Sequence, residues 1–158
     1  MKKAFLLILI LVLSITETFA CSCIETNESL SKKVEIAFTE SDLIISGKVI
    51  DVIIVNTGKI KSSADPIIYR FEITKTIKGK LEKEVIEIAS EESGASCGYK
   101  FELGKSYLVY ARKSTHFSSK TKNEFDFVTS LCDRNQKLNK VDKKELRKLK
   151  KLNCKKEK

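Results

Sequence analysis

Tryptophan is absent from this chain of 158 residues, and proline and histidine occur once each. The single histidine, His116, lies in the polar stretch 114–119 without the neighbouring acid and nucleophile that catalysis by histidine requires. Glu91 and Glu92 form a carboxylate pair before a loop, but no further carboxylate ligand accompanies them. We therefore predict that His116 is a loop residue, that the glutamate pair is not a metal site, and that the protein is not an enzyme.

The chain also lacks a hydrophobic run long enough to span a membrane. Its one long apolar stretch, residues 4–13, is about half the length of a spanning helix. Lys2 and Lys3 precede this stretch and Thr18-Phe19-Ala20 follows it, which is typical of a signal peptide. We predict that residues 1–20 are a signal peptide and that the mature protein is secreted or periplasmic, with no integral membrane span.

Cleavage after Ala20 would make Cys21 the first residue of the mature chain. A cysteine at this position is also what lipoprotein processing requires, although Thr18 and Phe19 match a lipobox poorly. Secretion of the free protein is therefore the first prediction. Anchoring to a membrane by lipid at Cys21 is the alternative.

Five cysteines are many for a protein of a reducing compartment, and they indicate disulfide bonds in an exported domain. They are Cys21, Cys23, Cys97, Cys132 and Cys154. The Cys-x-Cys spacing lacks the two-residue spacer of most zinc sites and no second close pair follows it, so a structural zinc is disfavoured. An odd count leaves at least one sulfur unpaired, lipidated or shared with another chain.

Positive charge is concentrated at the C-terminal end. The net charge of the chain is +9, and residues 137–158, with ten Lys and one Arg against two Glu and one Asp, carry +8. Residues 21–136 are balanced, with 17 basic and 17 acidic residues. A neutral body in an exported protein argues against nucleic acid as a partner. The lysine-rich segment 137–158 is predicted to be a solvated helix face, and its binding to an anionic surface is the alternative.

The pattern of apolar residues predicts five strands between two helices. Short apolar runs separated by turn residues mark the strands, and apolar residues at helical spacing mark the helices. The strands cover residues 42–55, 67–77, 85–89, 105–112 and 125–131, and the helices cover residues 30–39 and 141–152. Gly47 interrupts the first strand and predicts a bulge or a tight bend. Because strands and helices do not alternate, we predict a mainly β fold, a five-stranded barrel of the OB type, closed or partly open, in residues 21–152. Residues 153–158 would be the basic tail.

Six short stretches, taken in order, carry a resemblance to a known family. They are Cys21-Ser22-Cys23, residues 37–49, Tyr69-Arg70-Phe71, Cys97-Gly98, residues 104–108 and Cys132. Together they resemble the N-terminal, netrin-like domain of the tissue inhibitors of metalloproteinases. The resemblance implies an OB-fold barrel with the disulfides Cys21–Cys97 and Cys23–Cys132. It leaves Cys154 without an assigned partner.

The sequence departs from the family pattern in three respects. Thr39 stands where the animal inhibitors have a further cysteine, so their third bridge cannot form in the usual way. Ile24-Glu25-Thr26 replaces a proline-rich sequence. We also expect the second, smaller subdomain of those inhibitors to be missing.

The resemblance further implies inhibition of a zinc metalloproteinase through the mature N-terminus. The α-amine and the carbonyl oxygen of Cys21 would bind the catalytic zinc of the target, and Ser22 would enter its specificity pocket. The inhibitor would hold no metal or cofactor of its own. The alternative is an exported, disulfide-stapled OB-fold binding module, with or without a lipid, in which Cys21 and Cys23 only stabilise the domain and no protease is inhibited.

Overall fold

The chain forms a curled β-sheet with one helix before it and one after it. The computed structural model describes residues 21–24, 26–117, 125 and 127–156, so the predicted signal peptide and the last two residues of the tail lie outside the described residues. The strands are β1 (Leu43–Ile54), β2 (Pro66–Lys78), β3 (Val85–Glu91), β4 (Ser106–Ala111), β5 (Phe127–Val128) and β6 (Gln136–Lys137). The helices are α1 (Leu30–Glu40) and α2 (Lys143–Lys156). No helix of this described part is both long and apolar enough to cross a membrane.

The described strands form one sheet in the order β5-β3-β2-β1-β4-β6. All neighbouring pairs are antiparallel except β3 and β5, which are parallel. The sheet curls far enough that Arg112, which follows β4, exchanges two backbone hydrogen bonds with Val128 of β5. The mainly β prediction with two flanking helices is therefore confirmed, and the OB-type barrel describes the curled sheet approximately.

The prediction of five strands requires a correction to six. The additional strand, β6, contains two polar residues and pairs with Tyr107 and Leu108 of β4. An element this short has no periodicity for a sequence pattern to reveal. The predicted strand over residues 125–131 is also too long, because β5 ends at Val128. The backbone N–H of Ser130 donates to the Asp133 carboxylate at 2.7 Å, and this bond turns the chain.

Strand β1 bends around the barrel interior at three irregularities in its pairing with β2. One of them lies between Ser46 and Gly47, which agrees with the bulge or tight bend predicted at this glycine. A Cβ atom on Gly47 would lie 2.8 Å from the carbonyl oxygen of Glu72 on β2. The neighbouring strand can approach β1 this closely only because residue 47 has no side chain.

The sheet has a buried face on each side. The inner face forms the main core, which includes Val49, Phe71, Ile88 and Val109, and Phe101 contributes a ring packed edge-on against Phe71. The outer face is covered by the two helices, through the buried residues Val34, Phe38, Ile44, Leu108, Tyr110 and Leu149. Strand β4 therefore contributes side chains to both cores, as alternation along a strand requires.

Helix α2 begins at Lys143, two residues later than predicted. Val141 is extended and follows a short 3-10 helix, Leu138–Lys140. Asp142 then caps the helix, since its carboxylate accepts a hydrogen bond from the backbone N–H of Lys144 at 2.7 Å. The helix continues to Lys156, so no change of secondary structure marks the predicted tail boundary at residue 153.

Candidate functional site

Two disulfides hold the N-terminal segment Cys21–Ile24 on the surface of the domain. Cys21 is bonded to Cys97 and Cys23 to Cys132, with Cα–Cα distances of 5.3 and 5.2 Å. These are the pairs that the resemblance implied. Ser22 lies between the two anchored residues and is exposed, and Ile24 is 93% exposed. The segment thus presents the Ser22 and Ile24 side chains to solvent while its backbone is fixed at two points.

The β3–β4 loop that carries Cys97 has a conformation dictated by its sequence. Ser93 caps the 3-10 helix Gly94–Ser96 by accepting from the backbone N–H of Ala95, and Cys97 then adopts a left-handed conformation with φ of 67°. The N–H of Gly98 returns to the carbonyl oxygen of Ser93 at 2.8 Å. A Cβ atom on Gly98 would lie 2.0 Å from the carbonyl oxygen of Glu91, so no residue but glycine fits here.

The two anchoring points are themselves in contact. The carbonyl oxygen of Cys97 accepts a hydrogen bond from the N–H of Leu131 at 2.6 Å, which joins the β3–β4 loop to the turn that carries Cys132. The sulfur atoms of Cys21, Cys23 and Cys132 lie within 4.8 Å of one another. Each of these sulfurs is in a disulfide, so none of the three is a thiolate that could bind a metal.

The long loop between β1 and β2 packs against the β3–β4 loop. Ser63 and Ser96 share a hydrogen bond of 2.6 Å between their hydroxyl oxygens, and the N–H of Ser93 donates to the carbonyl oxygen of Ser63 at 3.1 Å. The carboxylate of Asp65 accepts bonds from the Asn56 amide and the Ser62 N–H, both at 2.7 Å. We call the surface made by residues 21–24, 62–65 and 93–98 the N-terminal ridge. The sequence marked residues 56–66 only as a loop.

His116 and the glutamate pair form no catalytic arrangement with the other residues that the structure describes. The His116 side chain is exposed in a turn, with Nε2 3.3 Å from a carboxylate oxygen of Glu91. The N–H of Glu92 donates to the carbonyl oxygen of Asp65 at 2.8 Å, so Glu92 supports the ridge through its backbone. In the described ranges, no third His, Cys, Asp or Glu joins His116 and Glu91 at the distance of a shared metal ion.

A buried polar network, which the sequence reasoning missed, connects α2 to the segment that carries Cys132. The Glu145 carboxylate is 1% exposed and accepts bonds from Tyr110 Oη at 2.7 Å, Arg134 Nη2 at 2.8 Å and Gln136 Nε2 at 3.1 Å. Burial and the adjacent Glu145 raise the pKa of Tyr110 well above its usual value. One sequence signal could have revealed this network: the acidic Glu145 lies at helical spacing from the apolar Leu149 and Leu152, on the face of the helix that packs on the domain.

The same network orders both sides of Cys132. Asn135 accepts a bond from the N–H of Tyr110 at 3.0 Å and donates to the hydroxyl of Thr129 at 2.8 Å. The Thr129 hydroxyl in turn donates to the carbonyl oxygen of Tyr110 at 2.7 Å. Thr129, Arg134 and Asn135 therefore fix the turn to which Cys23 is bonded.

These features define a small disulfide-bonded β-sheet domain with a Cys-Ser-Cys segment fixed on its surface. The family model of the tissue inhibitor of metalloproteinase matches residues 19–157, and the chain belongs to this family. A sequence comparison with curated proteins finds no match. Membership in a family of inhibitors agrees with the prediction that the chain is not an enzyme.

Proposed function

We propose that the protein is exported, that its mature chain begins at Cys21, and that it inhibits a zinc metalloproteinase by binding the catalytic zinc through this residue. The observation that carries the proposal is the pair of disulfides that fix Cys21 and Cys23 on either side of the exposed Ser22. The family membership of the chain supports the choice of target class.

The mechanism rests on the coordination chemistry of catalytic zinc. Such a zinc has three protein ligands and one open position, which water or substrate occupies. The α-amine and the carbonyl oxygen of one residue form a chelate that can displace this water. An α-amine has an ordinary pKa near 8, so it loses its proton easily beside a metal ion. Cys21 would supply both atoms, and the enzyme would then lack its activated water.

The disulfides supply the preorganisation that a short inhibitory segment needs. A flexible tripeptide would lose backbone freedom on entering an active-site cleft, and this loss would oppose binding. Here the backbone at Cys21 and Cys23 is already bonded to two loops that are hydrogen-bonded to each other through Cys97 and Leu131. The exposed Ser22 side chain would enter the pocket that reads the substrate residue beside the scissile bond.

The proposal and the lipoprotein alternative differ in the chemistry of the Cys21 amine. Acylation of this amine removes the lone pair that would bind zinc, so inhibition by this route and lipoprotein acylation exclude each other. If Cys21 carries lipid, the other four cysteines are an even number and could all be paired. In a secreted form with two disulfides, Cys154 is unpaired. The intact mass of protein from its native host separates the two. We expect the mass of residues 21–158 with two disulfides, and an added diacylglycerol would overturn the inhibitory mechanism.

The inhibition test uses the mature protein and a panel of zinc endopeptidases. We expect that one alanine added before Cys21 abolishes inhibition, because it moves the amine away from the carbonyl of Cys21 and leaves both disulfides in place. The melting temperature should stay the same. Cys154→Ser is the matched control, since Cys154 is exposed and in no disulfide, and it should inhibit as the parent does. Equal inhibition by the extended protein would refute the chelation. No inhibition by the parent itself would favour the stapled binding module.

A further inference from the structure

Helix α2 and the outer face of strands β1 and β2 enclose a groove with a volume of about 370 Å³. Small-molecule sites in proteins have volumes of about 300–1,000 Å³, so the groove is large enough for a ligand. The residues that α2 contributes lie three or four positions apart and therefore share one face of the helix. They include Leu146, Leu149, Lys150 and Cys154.

The groove exists because a small residue lies beneath the helix. Ile44 and Ser46 are two positions apart on β1, so both side chains point to the outer face of the sheet. Ile44 is a buried residue of the outer core, whereas the short Ser46 side chain lines the groove and leaves space below α2. No other protein group fills this space among the residues that the structure describes.

Most of the groove lining is apolar. Ile77, Leu138 and Leu149 line it and also pack in the outer core. Leu146 lines it as well and remains 38% exposed, which is unusual for a leucine on the face of a helix that packs on a sheet. A ligand with an apolar chain would remove this surface from water.

The hydroxyl group of Ser46 is a buried polar group without a partner. Ser46 is 7% exposed and lines the groove, and its hydroxyl forms no hydrogen bond in the described part of the chain. Buried hydroxyl groups are in general hydrogen-bonded, because an unsatisfied one costs free energy. A ligand that offers an acceptor inside the groove would remove this cost.

Positive charge lies beside this hydroxyl. Lys75 pairs with Ser46 across β2 and β1, so the two side chains are neighbours on the same face of the sheet. Lys150 lines the groove from the side of α2. Both lysines are exposed, and within the described ranges neither is in an ion pair. The groove thus combines an apolar lining with a free donor and two cations, which suits a ligand with an apolar chain and one anionic end.

We propose that the groove between α2 and the sheet binds a medium-chain fatty acid. Its carboxylate accepts a hydrogen bond from the Ser46 hydroxyl and pairs with Lys75 and Lys150, and its alkyl chain covers Ile77 and Leu146. The helix of a partner protein, about 10 Å wide, needs a longer continuous apolar groove. None of these residues belongs to the N-terminal ridge, so the proposal does not depend on inhibition of a protease.

The main test measures binding of decanoate to the mature protein by calorimetry, below the concentration at which the fatty acid forms micelles. Butyrate keeps the charge without most of the chain, and 1-decanol keeps the chain without the charge. We expect saturable binding of decanoate, and binding at least about tenfold weaker for each of the other two compounds. No saturable binding of decanoate, or equal affinity for 1-decanol, would overturn the proposal.

A matched pair of variants tests the location. Leu146→Glu places a negative charge in the groove and removes an apolar contact, so it should weaken decanoate binding by about tenfold or more. Leu103→Glu makes the same change of charge at a position that is 63% exposed and does not line the groove. It should change binding by no more than about twofold. Equal losses in the two variants would reduce the effect to net charge and overturn the proposal.

Ser46→Ala separates a binding role of the hydroxyl from a structural role. It should weaken decanoate binding by about fivefold, because the carboxylate loses a donor. Without ligand, the variant should melt at the same temperature as the parent or higher, because an unpartnered buried hydroxyl is removed. Unchanged decanoate binding would contradict the proposed position of the carboxylate. A lower melting temperature would give the hydroxyl a structural role and would also count against the proposal.

Cys154 reports whether the groove is filled. It is an exposed thiol in no disulfide and it lines the groove, so saturating decanoate should slow its alkylation by iodoacetamide. The Leu146→Glu variant should show no such protection at the same concentration of decanoate. An unchanged rate of alkylation in the parent would place the ligand elsewhere and overturn the proposal.

Two further measurements test other occupants of the groove. Sedimentation of the Cys154→Ser variant should show a monomer, and a dimer that Leu146→Glu dissociates would make the groove an interface between two copies. Vesicles of phosphatidylcholine should not compete with decanoate, and competition would make the groove a membrane contact. Either result would replace the fatty acid as the occupant and overturn the proposal.

Discussion

The ammonium group of Lys78 lies 4.8 Å from the centre of the Phe38 ring and donates a hydrogen bond of 2.5 Å to the carbonyl oxygen of the same residue. It also donates to the carbonyl oxygens of Thr39 and Ser41. These carbonyl groups lie at the C-terminal end of α1, and the last turn of this helix has no basic residue of its own. A cation is favourable at this end of a helix, and the end of β2 supplies it. Lys78 therefore ties the end of α1 to the sheet.

Replacement of Lys78 by methionine is therefore expected to destabilise the protein. The variant keeps most of the apolar stem but leaves buried carbonyl oxygens without a donor, and we expect a loss of about 2–4 kcal/mol in the free energy of unfolding. Urea denaturation measures it. Lys75→Met, at an exposed position of the same strand, should change stability by less than about 0.5 kcal/mol. Similar midpoints for the two variants would show that the Lys78 contacts contribute little.

Gly98→Ala should disrupt the β3–β4 loop on which Cys21 is anchored. The added methyl group would meet the Glu91 carbonyl oxygen at 2.0 Å. Because this oxygen belongs to the backbone, only a movement of the backbone can relieve the clash. We expect a loss of about 2–4 kcal/mol, together with weaker inhibition because Cys97 moves. Gly94→Ala is the control in the same loop, since no atom lies within 4 Å of the position that its methyl group would take and its φ is not positive. It should be tolerated, and equal effects at both glycines would contradict the steric argument.

The disulfide pairing can be tested by peptide mapping without reduction. The bridges span 76 and 109 residues, so each should stabilise the fold by about 4–5 kcal/mol in the chain-entropy model. Because the sulfurs of Cys21, Cys23 and Cys132 lie close together, a Cys21–Cys132 bond is within geometric reach. We expect only Cys21–Cys97 and Cys23–Cys132 in the native protein. Finding Cys97 joined to Cys132 would overturn the assignment.

Tyr110 should make the protein sensitive to alkaline pH. Its pKa is raised in the folded state, chiefly by burial and then by Glu145, whereas the unfolded chain ionises near pH 10. The stability that this difference contributes is fully present below pH 10 and is lost as the pH rises above it, by up to about 1.4 kcal/mol per pH unit. Denaturation at about pH 9 and about pH 11 measures the loss.

The comparison variant for this prediction is Tyr110→Phe. It should lose less stability between the two pH values, although at pH 8 it should be less stable by about 1–3 kcal/mol because Glu145 loses a donor. Both proteins should carry Cys154→Ser, so that an alkaline thiolate cannot attack the disulfides. Parallel pH profiles would show that the pKa of Tyr110 does not differ between the folded and unfolded states.

The local elements were largely predictable because their signals are local. The alternation of Tyr69 and Phe71 with polar neighbours gave β2, and Gly47 gave the bulge in β1. The strand that contains β5 was predicted too long, and β6 was not predicted. A strand of two residues forms because a neighbouring strand pairs with it, and its own composition gives no signal. The same holds for the support of the ridge by the β1–β2 loop, since a bond such as that between Ser63 and Ser96 joins residues 33 positions apart.

The sequence by itself determined the class of fold and the two helices, because periodicity and turn residues are properties of neighbouring residues. The anchored Cys-Ser-Cys segment was implied by the family resemblance. Only the tertiary structure decided which polar groups share a site. Lys78 reaches α1, Glu145 reaches Tyr110 and Arg134, and the lysines of α2 face α1 across a cleft. The physical reason is that burial and contact between distant segments set the electrostatic role of each charge, and identical lysines on one helix differ only in what the fold places opposite them.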